Sequence, residues 1–155
     1  MTSKTLVLGL GNPILGDDGV GWKVAEAVQA IAGNAVEVDF ASLGGLSLME
    51  RLLGYSHVVL IDCMETGLAP IGAVNSLPLS QLANPTAGHS ASPHDTSLIT
   101  ALQAAQTMGA DIPARVDVVT IEVRLSYDFT EWLSPEIAAA VPVAVQEALK
   151  LLDLG

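Results

Sequence analysis

The chain is short of cysteine, of aromatic rings and of positive charge. One cysteine, Cys63, stands among 155 residues. No intrachain disulfide can form, and a reducing, cytoplasmic setting is expected. Aromatic residues make up only 4% of a chain that is 50% hydrophobic, so the core must be built from Leu, Ile, Val and Ala. Six lysines and arginines face seventeen aspartates and glutamates, for a formal net charge of -11. Without a basic stripe, nucleic acid and anionic membrane are poor partners. No apolar run reaches the ~20 residues that cross a bilayer. Leu6–Leu10 is too short for the apolar region of a signal peptide, and no small-residue cleavage site follows it. The mean hydropathy of +0.49 is the mark of a full core, and the length fits one domain over residues 1–155.

Hydrophobic spacing predicts strands over Thr5–Leu10, Val36–Phe40, His57–Ile61 and Val116–Val123, with a short one over Ala73–Leu77. Helices are expected from Asp17 or Asp18 to about Ile31, over Leu43–Leu53, from about Asp95 to Met108, and over Pro135–Leu152. Val20, Val24, Ala25, Val28 and Ile31 share one face of the first helix. Pro135 suits the first turn of the last helix, whereas Pro142 inside it predicts a kink or a split. Gln81–Pro93 reads as a loop. Strands alternating with helices predict an α/β fold, a three-layer sandwich in which helices flank a mainly parallel twisted sheet.

The chemistry concentrates after the first strand, in Gly9-Leu10-Gly11-Asn12-Pro13-Ile14-Leu15-Gly16-Asp17-Asp18-Gly19-Val20-Gly21. A glycine-rich turn before a helix suits a phosphate, but the paired aspartates would repel one. The dinucleotide fingerprint fails at its third glycine, where Ile14 stands, and no nucleophile elbow, H-E-x-x-H or Walker motif is present. One aspartate is accounted for as a helix cap; two in a row exceed that need. Asp62 ends the apolar third strand. Cys63 beside it points the other way if the strand continues and reads as a small buried filler. His94 lies in Ser92-Pro93-His94-Asp95, just before a helix; His89 is less well fixed, and His57 stands at the wrong end of the sheet. Ligands of such sheets bind at the carboxyl ends of the strands. Asp18, Asp62 and His94 then form an oxygen, oxygen, nitrogen set that suits a borderline divalent ion such as zinc or nickel.

Four segments in order resemble the motifs of the hydrogenase maturation endopeptidases: Gly9-x-Gly11-Asn12-Pro13-x-Leu15-Gly16-Asp17-Asp18-Gly19-x-Gly21, Val59-Leu60-Ile61-Asp62, Gly67-x-x-Pro70-x-Gly72 and Ser92-Pro93-His94. The resemblance runs from Thr5 to about Leu102; beyond that only the strand and the closing helix fit. It implies an endopeptidase that removes a short C-terminal extension from the large-subunit precursor of a nickel–iron hydrogenase once nickel is in place. It also implies that Asp18, Asp62 and His94 contact the metal and carry the catalysis. The nickel would arrive with the substrate, and zinc or cadmium would be the occupants of the site in vitro. The alternative is a chaperone or binding module that holds the immature subunit without cutting it. One segment departs from the family pattern. Where many members carry Asp-Gly-Gly after the second strand, this chain has Phe40-Ala41-Ser42-Leu43-Gly44-Gly45, with Asp39 one position earlier. The loop Gln81–Ser92 is expected to order over the substrate tail.

Overall fold

A computed structural model of the chain describes residues 4–42, 45–82, 93–126 and 128–155, without the side chains of 93–97. Strands β1 (Thr5–Leu10), β2 (Glu37–Ala41), β3 (His57–Met64), β4 (Val74–Pro78) and β5 (Arg115–Glu122) form one sheet in the order β2-β1-β3-β5-β4. All neighbours are parallel except β4, which runs antiparallel to β5 at the edge. Helices α1 (Val20–Ala32) and α5 (Pro135–Leu151) cover one face, against Val7, Val59, Ile61, Val119 and Ile121. Helices α2 (Gly45–Leu52), α3 (Leu79–Leu82) and α4 (Pro93–Thr107) cover the other, against Leu6, Leu8, Leu60 and Val118. Helices on both faces are why β1 and β3 read as unbroken apolar runs. The architecture is the three-layer α/β sandwich that the sequence predicts.

Several boundaries differ from expectation, each for a local reason. Asp17 and Asp18 do not open α1. They sit in a 3-10 turn, Gly16–Gly19, and Gly19 precedes α1 with no side-chain cap. Ile31 leaves the apolar face and stands 59% exposed, because buried packing on α1 ends at Val28. Strand β3 does not stop at Ile61 but runs to Met64, since β5 keeps pairing beyond the point where β1 ends, with Asp62 opposite Thr120 and Met64 opposite Glu122. Pro142 neither splits nor ends α5. Pro142 and Ala138 both lie exposed, so the carbonyl left without its helical donor faces water. The short helix α3 begins before the predicted loop and runs into its first two residues, and 83–92 of that loop lie outside the described residues.

The chain order fixes where a ligand can bind. From β1 the chain crosses over α1 to β2 on one side; from β3 it proceeds to β4 and β5 on the other. Beyond the carboxyl ends of β1 and β3 the connections diverge and leave a crevice, the preferred binding position in open α/β sheets.

Candidate functional site

Asp18 stands in the turn after β1 and Asp62 on β3, both at the carboxyl end of the sheet. The turn is folded tightly on itself. Gly11 has φ +131, and a Cβ there would collide with the carbonyl oxygen of Asp18. A Cβ on Gly21 would collide with the carbonyl oxygens of Ile61 and Leu10, so only glycine lets α1 start hard against the ends of β1 and β3. The glycines thus serve close backbone contact rather than a phosphate. The backbone N–H of Asn12 donates to Asp18 Oδ2 at 2.8 Å, and Cys63 Sγ lies 3.4 Å from Asp18 Oδ1. Both oxygens are thereby oriented, and each keeps a second acceptor lone pair.

The two adjacent aspartates divide their work. Asp17 accepts from the backbone N–H and the hydroxyl of Ser134, each at 2.8 Å. It ties the turn to the residue before α5 instead of facing the crevice. Asp62 is 1% exposed, and its Oδ1 accepts from the N–H of Cys63 at 2.8 Å. It occupies the first position past the last β1 partner of β3, Ile61. Asp62 alternates with Leu60 and Met64 on the face covered by α2 and α4, whereas Cys63 belongs to the opposite core. Cys63 is the buried filler expected, but it also links the two acids. Burial and then the carboxylates of Asp62 and Asp18 push its thiol well above the ordinary range. It stays a neutral S–H, the form that donates to Asp18.

His94 is the second residue of α4, on the helix that packs Leu98, Ala101, Leu102 and Ala105 against the Asp62 face. Its side chain lies outside the described residues, as does all of His89. Among the described residues no group of three His, Cys, Asp or Glu side chains is gathered for a metal ion. Asp18 meets the thiol of Cys63 and Asp62 its backbone N–H; the imidazole stands outside what is described.

Asp39 does not reach the crevice. It pairs with Arg51 of α2 and accepts from the N–H of Phe40 at 2.8 Å. The end of β2 meets the turn through other groups: Ser42 Oγ donates to the Gly11 carbonyl at 2.6 Å, and Trp22 Nε1 donates to the Ala41 carbonyl at 3.2 Å.

Sequence reasoning overlooked two buried acids on β5. Glu122 accepts from Thr66 N–H at 2.9 Å, Thr66 Oγ1 at 2.8 Å and Gly67 N–H at 3.0 Å. It fixes the loop after β3 as one wall of a cavity of about 370 Å³, also lined by Met64, Leu68, Leu77 and Thr120. Thr120 is the register partner of Asp62, so this cavity lies beside the crevice. Asp117, at the far end of the strand, accepts from Arg115 Nε at 2.7 Å and lies 2.8 Å from His57 Nε2. His57 is remote from the crevice, as expected, but it partners a buried carboxylate. The signal for both acids was their position in an otherwise apolar strand, Val116-Asp117-Val118-Val119-Thr120-Ile121-Glu122-Val123.

Comparison with known proteins gives the family and the fold. The profile of the HycI hydrogenase maturation protease family matches residues 22–151. A hydrogenase expression/formation protein, HupD, of Rhizobium leguminosarum bv. viciae is 25% identical, over 96% of this chain and 74% of its own. Among solved structures, the hydrogenase maturating endopeptidase HybD from Escherichia coli superposes with a TM-score of 0.78 at 24% identity, over 97% of this chain and 92% of that one. The nickel–iron hydrogenase maturation protease HybD from Thermococcus kodakarensis gives 0.71 at 24%, over 96% and 99%. The structural likenesses carry the fold, and the profile match spans α1 to α5 and includes both Asp62 and His94. This chain is a member of the hydrogenase maturation protease family, a family of endopeptidases.

Proposed function

We propose that the chain, as one domain in the cytoplasm, removes the C-terminal extension of a nickel-loaded nickel–iron hydrogenase large-subunit precursor, and that Asp18, Asp62 and His94 read the nickel. The observation that supports this most is that Asp18 and Asp62 both hydrogen-bond Cys63, Asp18 at the thiol and Asp62 at the backbone N–H, in a chain of this family. The three side chains fill vacant positions around a nickel ion already held by the precursor. Oxygen and imidazole donors suit that ion. A precursor without nickel offers them nothing to bind, so cutting waits for metal loading. Docked there, a carboxylate activates water while the metal polarises the scissile carbonyl.

Mass spectrometry of the chain mixed with precursor tests this. Nickel-loaded precursor is expected to lose a C-terminal peptide, and nickel-free precursor to stay intact. Asp18→Asn or His94→Ala is expected to slow release by ~10²–10⁴-fold, with circular dichroism and melting temperature nearly unchanged. Efficient cutting of nickel-free precursor rejects metal reading. Normal cutting by either variant removes that residue from the site. Stable binding of loaded precursor without peptide release replaces the protease with a holding protein.

A further inference from the structure

Among the described residues ten large apolar side chains are exposed. Ile14, Leu46, Leu68, Ile71, Phe129 and Trp132 stand on connections at the carboxyl end of the sheet, and Ile31, Met108, Val143 and Leu154 lie elsewhere. The densest group joins two segments. Thr130 N–H donates to the Ile14 carbonyl at 2.9 Å, and Gly16 N–H donates to the Thr130 carbonyl at 2.8 Å. These bonds pair Leu15 with Thr130 in parallel, which ties the segment of Ile14 to the segment of Phe129. Trp132 follows, its N–H donating to Thr130 Oγ1 at 3.1 Å. Asp17 clamps the same assembly to Ser134, so the patch is fixed to the turn that carries Asp18.

The cost of this exposure is unusual for this chain. It holds two tryptophans and two phenylalanines. Trp22 and Phe40 pack on each other with ring centroids 5.3 Å apart. The other two stand in solvent, Phe129 at 83% and Trp132 at 81% exposure. Aromatic rings held out in solvent on one short segment mark an interaction surface. Asp128 and Glu131, both exposed, flank Phe129 and Thr130. With a net charge of -11, two copies meeting through this patch would repel each other.

We propose that the Ile14–Phe129–Trp132 patch is the docking surface for the folded body of the precursor. It takes an apolar area edged by Lys or Arg while the segment to be cut lies in the crevice. This rests on the function proposed above and deepens it: a partner whose chain is cut at Asp18 must lie against the surface bonded to Asp18's own turn. Recognition is thereby split, with metal read in the crevice and protein body read on the patch.

Steady-state processing of nickel-loaded precursor tests the division. Phe129→Ser/Trp132→Ser alters only exposed side chains; circular dichroism and melting check its fold. Its KM is expected to rise about tenfold or more, with kcat within about twofold of wild type. Trp132→Phe is expected to recover most of the loss, and Met108→Ser, exposed at the far end of α4, to change nothing. Asp128→Lys/Glu131→Lys probes the same surface without touching a ring, and its KM is expected to rise several-fold. Unchanged KM in both double variants overturns docking on the patch while leaving the protease standing. A wild-type chain that binds the precursor but does not cut it, with binding lost in the ring variant, keeps the patch and removes the protease. Wild type that neither binds nor cuts removes both. Self-association abolished by the ring variant, with precursor KM unchanged, gives the patch to a second copy and overturns the proposal.

Discussion

Two buried aspartates on neighbouring strands show how position decides what an acid does. Asp62 on β3 and Asp117 on β5 are 1% and 4% exposed. Asp117 lies at the amino end and is held by Arg115 and His57. Asp62 lies past the last β1 partner, on the crevice side of the same sheet. A buried carboxylate held by two side-chain partners is a structural commitment, and removing it takes a hydrogen-bond partner from both. Asp117→Ala is therefore expected to cost about 1.5–3 kcal/mol of stability, measured by urea unfolding, while kcat for precursor processing stays near wild type. A large loss of kcat in a folded Asp117→Ala protein would move this cluster into the catalytic account. Patterning alone marked Asp62 and passed over Asp117, because a strand-end acid invites a functional reading and an acid inside an apolar run shows no partner until the fold supplies one.

At the scale of elements, the decisive piece is the 3-10 turn between β1 and α1. Its glycines are legible in the sequence, but their purpose is not. They let Gly11 meet Asp18 and let α1 abut Leu10 and Ile61. Asp17 binds this turn to the start of α5 across 117 positions of chain. Local reasoning assigns such an aspartate to its own helix; the structure assigns it to another. Asp17→Asn keeps one acceptor and loses the carboxylate's charge-assisted grip, so a loss of about 1–2 kcal/mol is expected by thermal or urea unfolding. Cutting at saturating precursor is expected to survive. Full stability in Asp17→Asn would mean that α5 docks without this clamp. Pro142 teaches the reverse lesson: a residue that predicts a broken helix is tolerated because the orphaned carbonyl faces solvent.

Across the whole molecule, the candidate ligands come from the turn after β1, from β3 and from α4 between β4 and β5, and only the assembled sheet brings their backbones toward one end. Metal binding by the proposed set is therefore expected to stabilise the fold as a whole. Cadmium at about a hundred times its dissociation constant is expected to raise stability by about 2.7 kcal/mol, read as a shift in melting temperature. His94→Ala is expected to abolish the shift while leaving the metal-free melting temperature in place. An equal shift in His94→Ala would place the ion elsewhere on this acidic surface.

What the sequence by itself determined is the alternation of strands and helices, the apolar runs that must be covered on both faces, and the types of residue at the crevice. Those follow from periodicity, burial and glycine chemistry, which act over a few residues at a time. The fold alone decided that Asp17 clamps α5, that Cys63 lies between Asp18 and Asp62, that Asp39 goes to Arg51, and that two rings remain in water beside the site. Each of these is a contact between segments distant in the chain. Its energy depends on register, strand order and helix placement, and no short-range pattern encodes those one residue at a time.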